Sequence, residues 1–143
     1  MTTRRTKPAG AYVGKEDAFQ RTAIARLRQI GKEQGIDSRA IMHIPNGGLR
    51  NKKVAANLKR QGTVAGYPDI MVFEPENIKA TAKRNAFGSR LSGLAIELKV
   101  WPNKPTDEQL AIHELLSLAG WRVVVCYSID QVEKEALRYF DAR

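Results

Sequence analysis

The sequence is poor in the residues on which disulfide-stabilised and zinc-stabilised proteins depend. Cys126 is its one cysteine, so the chain can form neither an internal disulfide framework nor a cysteine zinc site. Only two histidines occur, and they do not show the His-Glu-x-x-His spacing of zinc enzymes. These absences fit a reducing, intracellular setting, and we expect a cytoplasmic protein.

Long apolar runs are absent as well. None approaches the ~18 residues of a membrane-spanning helix, and no amphipathic helix has a broad aromatic face. The N-terminal stretch MTTRRTKPAG is basic, but no apolar segment follows it as in a secretory signal. We therefore expect no membrane partner, and we predict that residues 1–14 form a disordered basic arm.

Negative charge is scarce relative to positive charge. The chain holds 24 Lys and Arg against 15 Asp and Glu, which gives a formal net charge of +9. Such an excess favours a polyanionic partner, and nucleic acid is the commonest one. A length of 143 residues indicates one domain, which we place at residues 15–143.

Apolar periodicity predicts an α-β-α-β-β-α-β-α order of elements. Residues 75–93, rich in basic and small side chains, are predicted to form a mobile loop. The strand–helix–strand unit at 94–128 implies a parallel pair with a right-handed crossover. The near-continuous apolar run WRVVVC predicts a fully buried last strand. The fold class is therefore α/β, a mixed sheet flanked by helices.

The stretch AIELKV at residues 95–100 carries two charges inside an apolar strand. Side chains alternate along a strand, so Glu97 and Lys99 share a face, roughly 7 Å apart. Charges taken out of water are unfavourable unless they are paired or bound. One interpretation is an ion pair between these two side chains on a half-exposed face; the other is a functional site.

A second acidic residue, Asp69, opens the strand DIMVF directly after Pro68. Pro and Asp are also common in turns, which is the simpler interpretation. If this strand pairs with AIELKV, however, Asp69 and Glu97 can lie side by side, where they repel each other. A divalent cation removes that repulsion, and carboxylate oxygens suit Mg²⁺ or Mn²⁺. A lysine beside such a metal can orient a water or stabilise a developing oxyanion.

Pro68-Asp69 followed by Glu97-Leu98-Lys99 resembles the PD-(D/E)XK nuclease pattern. The segments GYPDIMVF, AIELKV, TDEQLAIHELLSLAGWRVVVC and HIPNGGLR, with an early glutamate, are similar to the virus-type replication-repair nuclease (VRR-NUC) domain. The resemblance runs from about residue 15 to 131. It implies a restriction-endonuclease-like core and a stand-alone domain of phage or bacterial type.

The resemblance also implies a site residue by residue. Asp69 and Glu97 would bind Mg²⁺ or Mn²⁺ together with the Leu98 carbonyl, and Lys99 would be the catalytic lysine. Gln109 would help to arrange the site, although Thr106-x-x-Gln109 also fits a helix capping box. Glu16 would add a carboxylate to the metal site, although it could merely complement a helix dipole. We expect no small-molecule cofactor.

Two basic segments flank the proposed site in sequence, and we predict that they contact DNA phosphates, unless they are simply solvated surface. The turn at Asn46 could also approach a phosphate through backbone N–H groups. His43 could contact a phosphate or pack within its strand, and we interpret His113 as structural. The predicted DNA-binding residues are Asn46, Arg50, Lys52, Lys53, Lys59, Arg60, Lys83 and Arg84.

The resulting expectation is a metal-dependent, structure-selective DNA endonuclease. By resemblance it would act on four-way junctions as a homodimer, in a bacterial cell or a phage-infected host. A twofold dimer supplies the two sites that two symmetric cuts need. The alternatives are a flap or nicking nuclease, a catalytically silent DNA-binding protein on the same fold, and a non-nuclease scaffold in which Glu97 and Lys99 form an ion pair.

Overall fold

The computed structural model describes residues 4–12, 14–45, 52–73 and 91–140. A mixed sheet flanked by helices runs through these residues, in the element order predicted from the sequence, with one short 3₁₀ turn added at Ser38–Ala40. None of the described helices has the length and apolar composition needed to cross a membrane. The elements are α1 (Glu16–Glu33), β1 (Ile41–His43), α2 (Lys52–Arg60), β2 (Ile70–Val72), β3 (Gly93–Leu98), α3 (Asp107–Leu118), β4 (Trp121–Cys126) and α4 (Ile129–Phe140).

The sheet has the strand order β1-β2-β3-β4. β2 pairs with both β1 and β3 in antiparallel fashion, and β3 pairs with β4 in parallel. The parallel pair is joined through α3, as the strand–helix–strand pattern predicts. The α/β fold class is therefore confirmed, and β3 occupies an inner position with a neighbour on each side.

One face of the sheet carries the main apolar core. The apolar stripe of α1, with Phe19 and Leu27 at its centre, is fully buried because it recurs at helical spacing. It packs with the apolar face of α4 against Ile96 and Leu98 of β3. Since side chains alternate along a strand, Glu97 points to the other face, on which α3 packs. This alternation separates the apolar core from the charged site.

The last strand is less buried than its apolar sequence predicts. Residues Trp121 to Val125 are only partly buried, and Cys126 alone is fully so. Within the described residues β4 pairs only with β3, so it lies at an edge of the sheet. An apolar run favours a strand but does not reveal whether that strand has one neighbour or two. The prediction of full burial is therefore wrong.

The described part of the N-terminal arm lies against the domain. The Arg5 guanidinium stacks over the Trp101 ring, 4.7 Å from its centroid. It also donates to the Pro102 carbonyl at 2.9 Å and to the Tyr127 hydroxyl at 2.9 Å. These contacts attach the arm, predicted to be disordered, to the turn that follows Lys99.

Candidate active site

The pairing of β2 with β3 sets the position of the two acidic residues. Ile70 lies opposite Ile96, so the same antiparallel register brings Asp69 opposite Glu97. Opposed residues of an antiparallel pair project to the same face. The Leu98 N–H donates to Asp69 Oδ2 at 2.7 Å, which ties the Asp69 side chain to the neighbouring strand. The two carboxyl groups are thus brought together at one end of the sheet.

Glu97 is enclosed, with a side chain only 1% exposed. Its Oε1 accepts a hydrogen bond from Gln109 Nε2 at 2.9 Å and lies 3.4 Å from Lys99 Nζ. Its Oε2 is buried and has no hydrogen-bond partner among the described residues. Glu97 and Lys99 therefore lie within ion-pair distance, but their face is buried rather than half-exposed, and the contact uses only one of the two carboxylate oxygens.

The electrostatics of the site disfavour negative charge. Burial raises the pKa of Glu97 to about 8, and repulsion from Asp69 adds to that rise, while Lys99 opposes it. Burial also raises the pKa of Asp69, against the effect of the Leu98 N–H, and Glu16 raises it further. A carboxyl pair whose charged forms are this unfavourable gains stability from a bound cation.

Gln109 completes the predicted helix cap and also contacts Glu97. Its Oε1 accepts from the Thr106 N–H at 2.9 Å, and its own N–H donates to Thr106 Oγ1 at 3.2 Å, which completes the capping box. Its Nε2 remains available and donates to Glu97. The cap fixes the first turn of α3, so the same side chain is held in place to support the carboxylate.

Glu16 stands at the first position of α1, exposed to solvent. Its charge contributes to the raised pKa values of Asp69 and Glu97, so it lies within electrostatic reach of both. Among the described residues, however, no three His, Cys, Asp or Glu side chains are grouped closely enough to hold a metal ion. A role for Glu16 as a metal ligand remains a prediction.

The oxygen atoms at the end of β3 fit a hard divalent cation. The backbone N–H and C=O groups of one strand residue point to the same side of the strand. Because the Leu98 N–H donates to Asp69, the Leu98 carbonyl also points towards Asp69. Asp69, Glu97 and this carbonyl then form an all-oxygen set of the kind that Mg²⁺ and Mn²⁺ prefer. The unpartnered Glu97 Oε2 is a further acceptor atom with its lone pairs unused.

His43 supports the backbone at Asp69. Its Nδ1 lies 2.9 Å from the Asp69 carbonyl and also contacts the Gln20 amide. The Ile44 N–H donates to the same carbonyl at 2.8 Å. His43 is exposed and borders a cleft of ≈320 Å³ lined by residues of α1, Asp17 and Arg28 among them. This position agrees with either of the roles considered for His43.

His113 is closer to the site than its sequence context indicates. It is buried on α3, and its Nε2 lies 3.7 Å from Glu97 Oε2. Burial lowers the pKa of His113, and the Lys99 charge lowers it further, so the neutral imidazole is favoured. The sequence feature that indicates this position is the spacing of the two residues. His113 follows Gln109 by four residues, so both lie on the same face of the helix.

The predicted DNA-binding residues fall into two sets. Lys52, Lys53, Lys59 and Arg60 are exposed on α2, a helix without acidic residues. The other four, Asn46, Arg50, Lys83 and Arg84, lie outside the described residues, as does most of the predicted loop at 75–93. The described set forms an exposed cationic surface that can contact phosphates.

The fold and the site define a class. A mixed sheet in which Pro-Asp precedes one strand and Glu-x-Lys ends the next, with helices on both faces, is a restriction-endonuclease-like nuclease core. No protein-family model matches the sequence. Nor does a curated protein match it. A solved structure described as a VRR_NUC domain protein does match, with 27% identity and a TM-score of 0.66, over 92% of this chain and 93% of its own. This likeness over nearly the whole chain supports a VRR-NUC domain, as the motifs predict.

Proposed function

We propose that this VRR-NUC nuclease is a metal-dependent, structure-selective DNA endonuclease that hydrolyses phosphodiester bonds. The observation that carries the proposal is the register of β2 and β3, which brings Asp69 opposite Glu97. Lys99 directly follows β3, and its Nζ lies 3.4 Å from Glu97 Oε1. Two carboxylates can hold a divalent metal for the hydrolysis of a phosphate ester, and a lysine beside them can stabilise the charge that develops.

Each side chain has a separate task in this reaction. Asp69 and Glu97, with the Leu98 carbonyl, would hold Mg²⁺ or Mn²⁺, which polarises the scissile phosphate and lowers the pKa of a bound water. Lys99 is 13% exposed, so its ammonium group can reach a substrate while it stays anchored by Glu97. There it orients the attacking water or stabilises charge that develops on the phosphate. Gln109 keeps Glu97 in position through its hydrogen bond.

The substrate proposed is branched DNA, and a four-way junction fits best. The exposed cations of α2 can bind phosphates of any sequence, and such contacts favour recognition of DNA shape. A homodimer would cut such a junction symmetrically, because its twofold axis supplies two sites. We place this activity in the cytoplasm of a bacterium or of a phage-infected host.

Two other functions would use the same fold. A flap or nicking nuclease would use the same residues on a different DNA, and a silent DNA-binding protein would keep the fold without the reaction. The scaffold alternative explains the ion pair of Glu97 and Lys99. It does not explain why Asp69 is held beside Glu97, where it raises the pKa of that carboxyl group.

The variant Lys99→Ala tests the mechanism. We expect the cleavage rate with Mg²⁺ to fall at least about a hundredfold, since one preorganised charge is lost from the transition state, while DNA affinity stays close to that of the wild type. Lys134→Ala, which removes an exposed lysine from α4, is the matched control and should cut normally. A Lys99→Ala protein that cuts a four-way junction at the wild-type rate would refute this mechanism.

A substrate panel tests the specificity. Linear duplex, flap and four-way junction are incubated with the wild-type protein, with and without Mn²⁺. Paired symmetric cuts in the junction alone, and only with the metal, would support a dimeric junction nuclease. Cuts in every substrate would indicate a nonspecific nuclease, and tight binding without any cut would indicate the silent binder.

A further inference from the structure

Side chains from two successive turns of α3 lie next to the two carboxylate oxygens of Glu97. Gln109 and His113 are four residues apart and therefore project from the same face of the helix. Gln109 Nε2 donates to Oε1 at 2.9 Å, and His113 Nε2 lies 3.7 Å from Oε2. The sequence resemblance assigns a role to the first of these side chains and none to the second.

The two facing atoms, Glu97 Oε2 and His113 Nε2, are both buried and have no hydrogen-bond partner among the described residues. A buried polar atom without a partner is unfavourable, whereas a hydrogen bond to a charged group is strongly favourable. Closing the gap from 3.7 Å to about 2.9 Å would satisfy both atoms with one bond. A neutral imidazole with its proton on Nε2 is a suitable donor for that bond.

A structural role alone accounts poorly for this histidine. His113 is only 8% exposed, and an apolar side chain of similar volume would fill the space without placing a polar atom in the interior. Carboxylates that bind metals are commonly oriented by hydrogen bonds from neighbouring side chains, which restrict their rotation. Glu97 already has one such donor, Gln109, on Oε1.

We propose that His113 is a positioning residue for the metal site. His113 donates a hydrogen bond from Nε2 to Glu97 Oε2 and, together with Gln109, fixes the orientation of the Glu97 carboxylate. The inference rests on the proposed function, because it assumes that Glu97 binds a divalent cation. His113 would touch neither the metal nor the DNA. Its effect would be a higher affinity for the metal, since Glu97 is held in the orientation that binds it.

The test is a Mn²⁺ titration of the DNA-free protein, in which the electron paramagnetic resonance signal of the free ion measures how much Mn²⁺ is unbound. We expect His113→Ala to weaken Mn²⁺ binding about 10- to 100-fold, the usual effect of removing such a partner. His113→Gln, whose amide donor can reach the same oxygen, should recover most of that loss. Leu116→Ala, a cavity variant on the buried side of the same helix, should lower the melting temperature without changing the Mn²⁺ affinity per folded molecule.

The outcomes separate this inference from the proposed function. If the wild type binds Mn²⁺ and His113→Ala binds it equally well, the positioning role is refuted and the nuclease proposal stands. If His113→Gln binds as weakly as His113→Ala, donation from Nε2 is refuted. If the wild type does not bind Mn²⁺ at all, both proposals fail.

Discussion

The folded protein disfavours the charged form of Glu97, and its stability therefore depends on pH. Burial and Asp69 raise its pKa from 4.5 to about 8, so between these pH values the folded state holds a proton that the unfolded state has lost. Stability falls with rising pH wherever the folded state binds more protons. Without metal, we therefore expect the free energy of unfolding to fall from pH 5 to pH 8, by on the order of a few kcal/mol.

The neutral variant Glu97→Gln should remove most of this decline, because it removes the carboxyl group whose pKa is raised. Urea unfolding in EDTA at several pH values measures the effect. Glu114→Gln, on the exposed side of α3, is the control and should follow the wild-type profile. Parallel profiles for Glu97→Gln and the wild type would contradict the assigned titration. Mn²⁺ added at pH 8 should stabilise the wild type more than Glu97→Gln, because only the ionised carboxylate binds the cation well.

Among the structural elements, the turn before β2 connects the acidic pair to α3. Gly66 in this turn has a φ of +97°, which non-glycine residues rarely adopt. A Cβ atom there would lie 2.8 Å from the Glu108 carbonyl oxygen in the first turn of α3. Only glycine therefore allows the segment carrying Asp69 to approach the helix end that carries Gln109.

Gly66→Ala should destabilise the fold by about 1–3 kcal/mol and also weaken cleavage, because Asp69 is displaced from Glu97. Gly62→Ala separates the two effects. Gly62 has nearly the same φ, +98°, but a Cβ there would have no described atom within 4 Å. The Gly62→Ala variant should lose stability through backbone strain and retain the kcat of the wild type. Urea unfolding and junction cleavage on both variants make the comparison, and equal loss of kcat would contradict the packing argument.

The sequence predicts the elements well because each depends on local periodicity. The apolar spacing of α1 and the order of helices and strands along the chain follow from residues that are close together in sequence. The contact between Glu97 and His113 does not, because it depends on how α3 rotates against the sheet. The edge position of β4 and the stacking of Arg5 on Trp101 likewise depend on pairings between distant segments. The Asp69–Glu97 pair could be inferred only by assuming that their strands are neighbours.

For the whole molecule, the net charge of +9 makes association with DNA sensitive to salt. Part of this charge lies on the exposed face of α2, where Arg60 stands in the last turn beside Lys59.

If Arg60 contacts one phosphate, Arg60→Ala should weaken binding to duplex and junction alike, and the slope of log affinity against log salt should become shallower by about 1. Arg138→Ala removes the same charge from α4, where Arg138 lies 3.7 Å from Glu135, and it should change the slope less. Fluorescence anisotropy in EDTA, which removes divalent metal ions, gives both slopes. Equal slopes for Arg60→Ala and the wild type would show that α2 does not contact the backbone. An equal change in both variants would show that the DNA responds to total charge rather than to this helix.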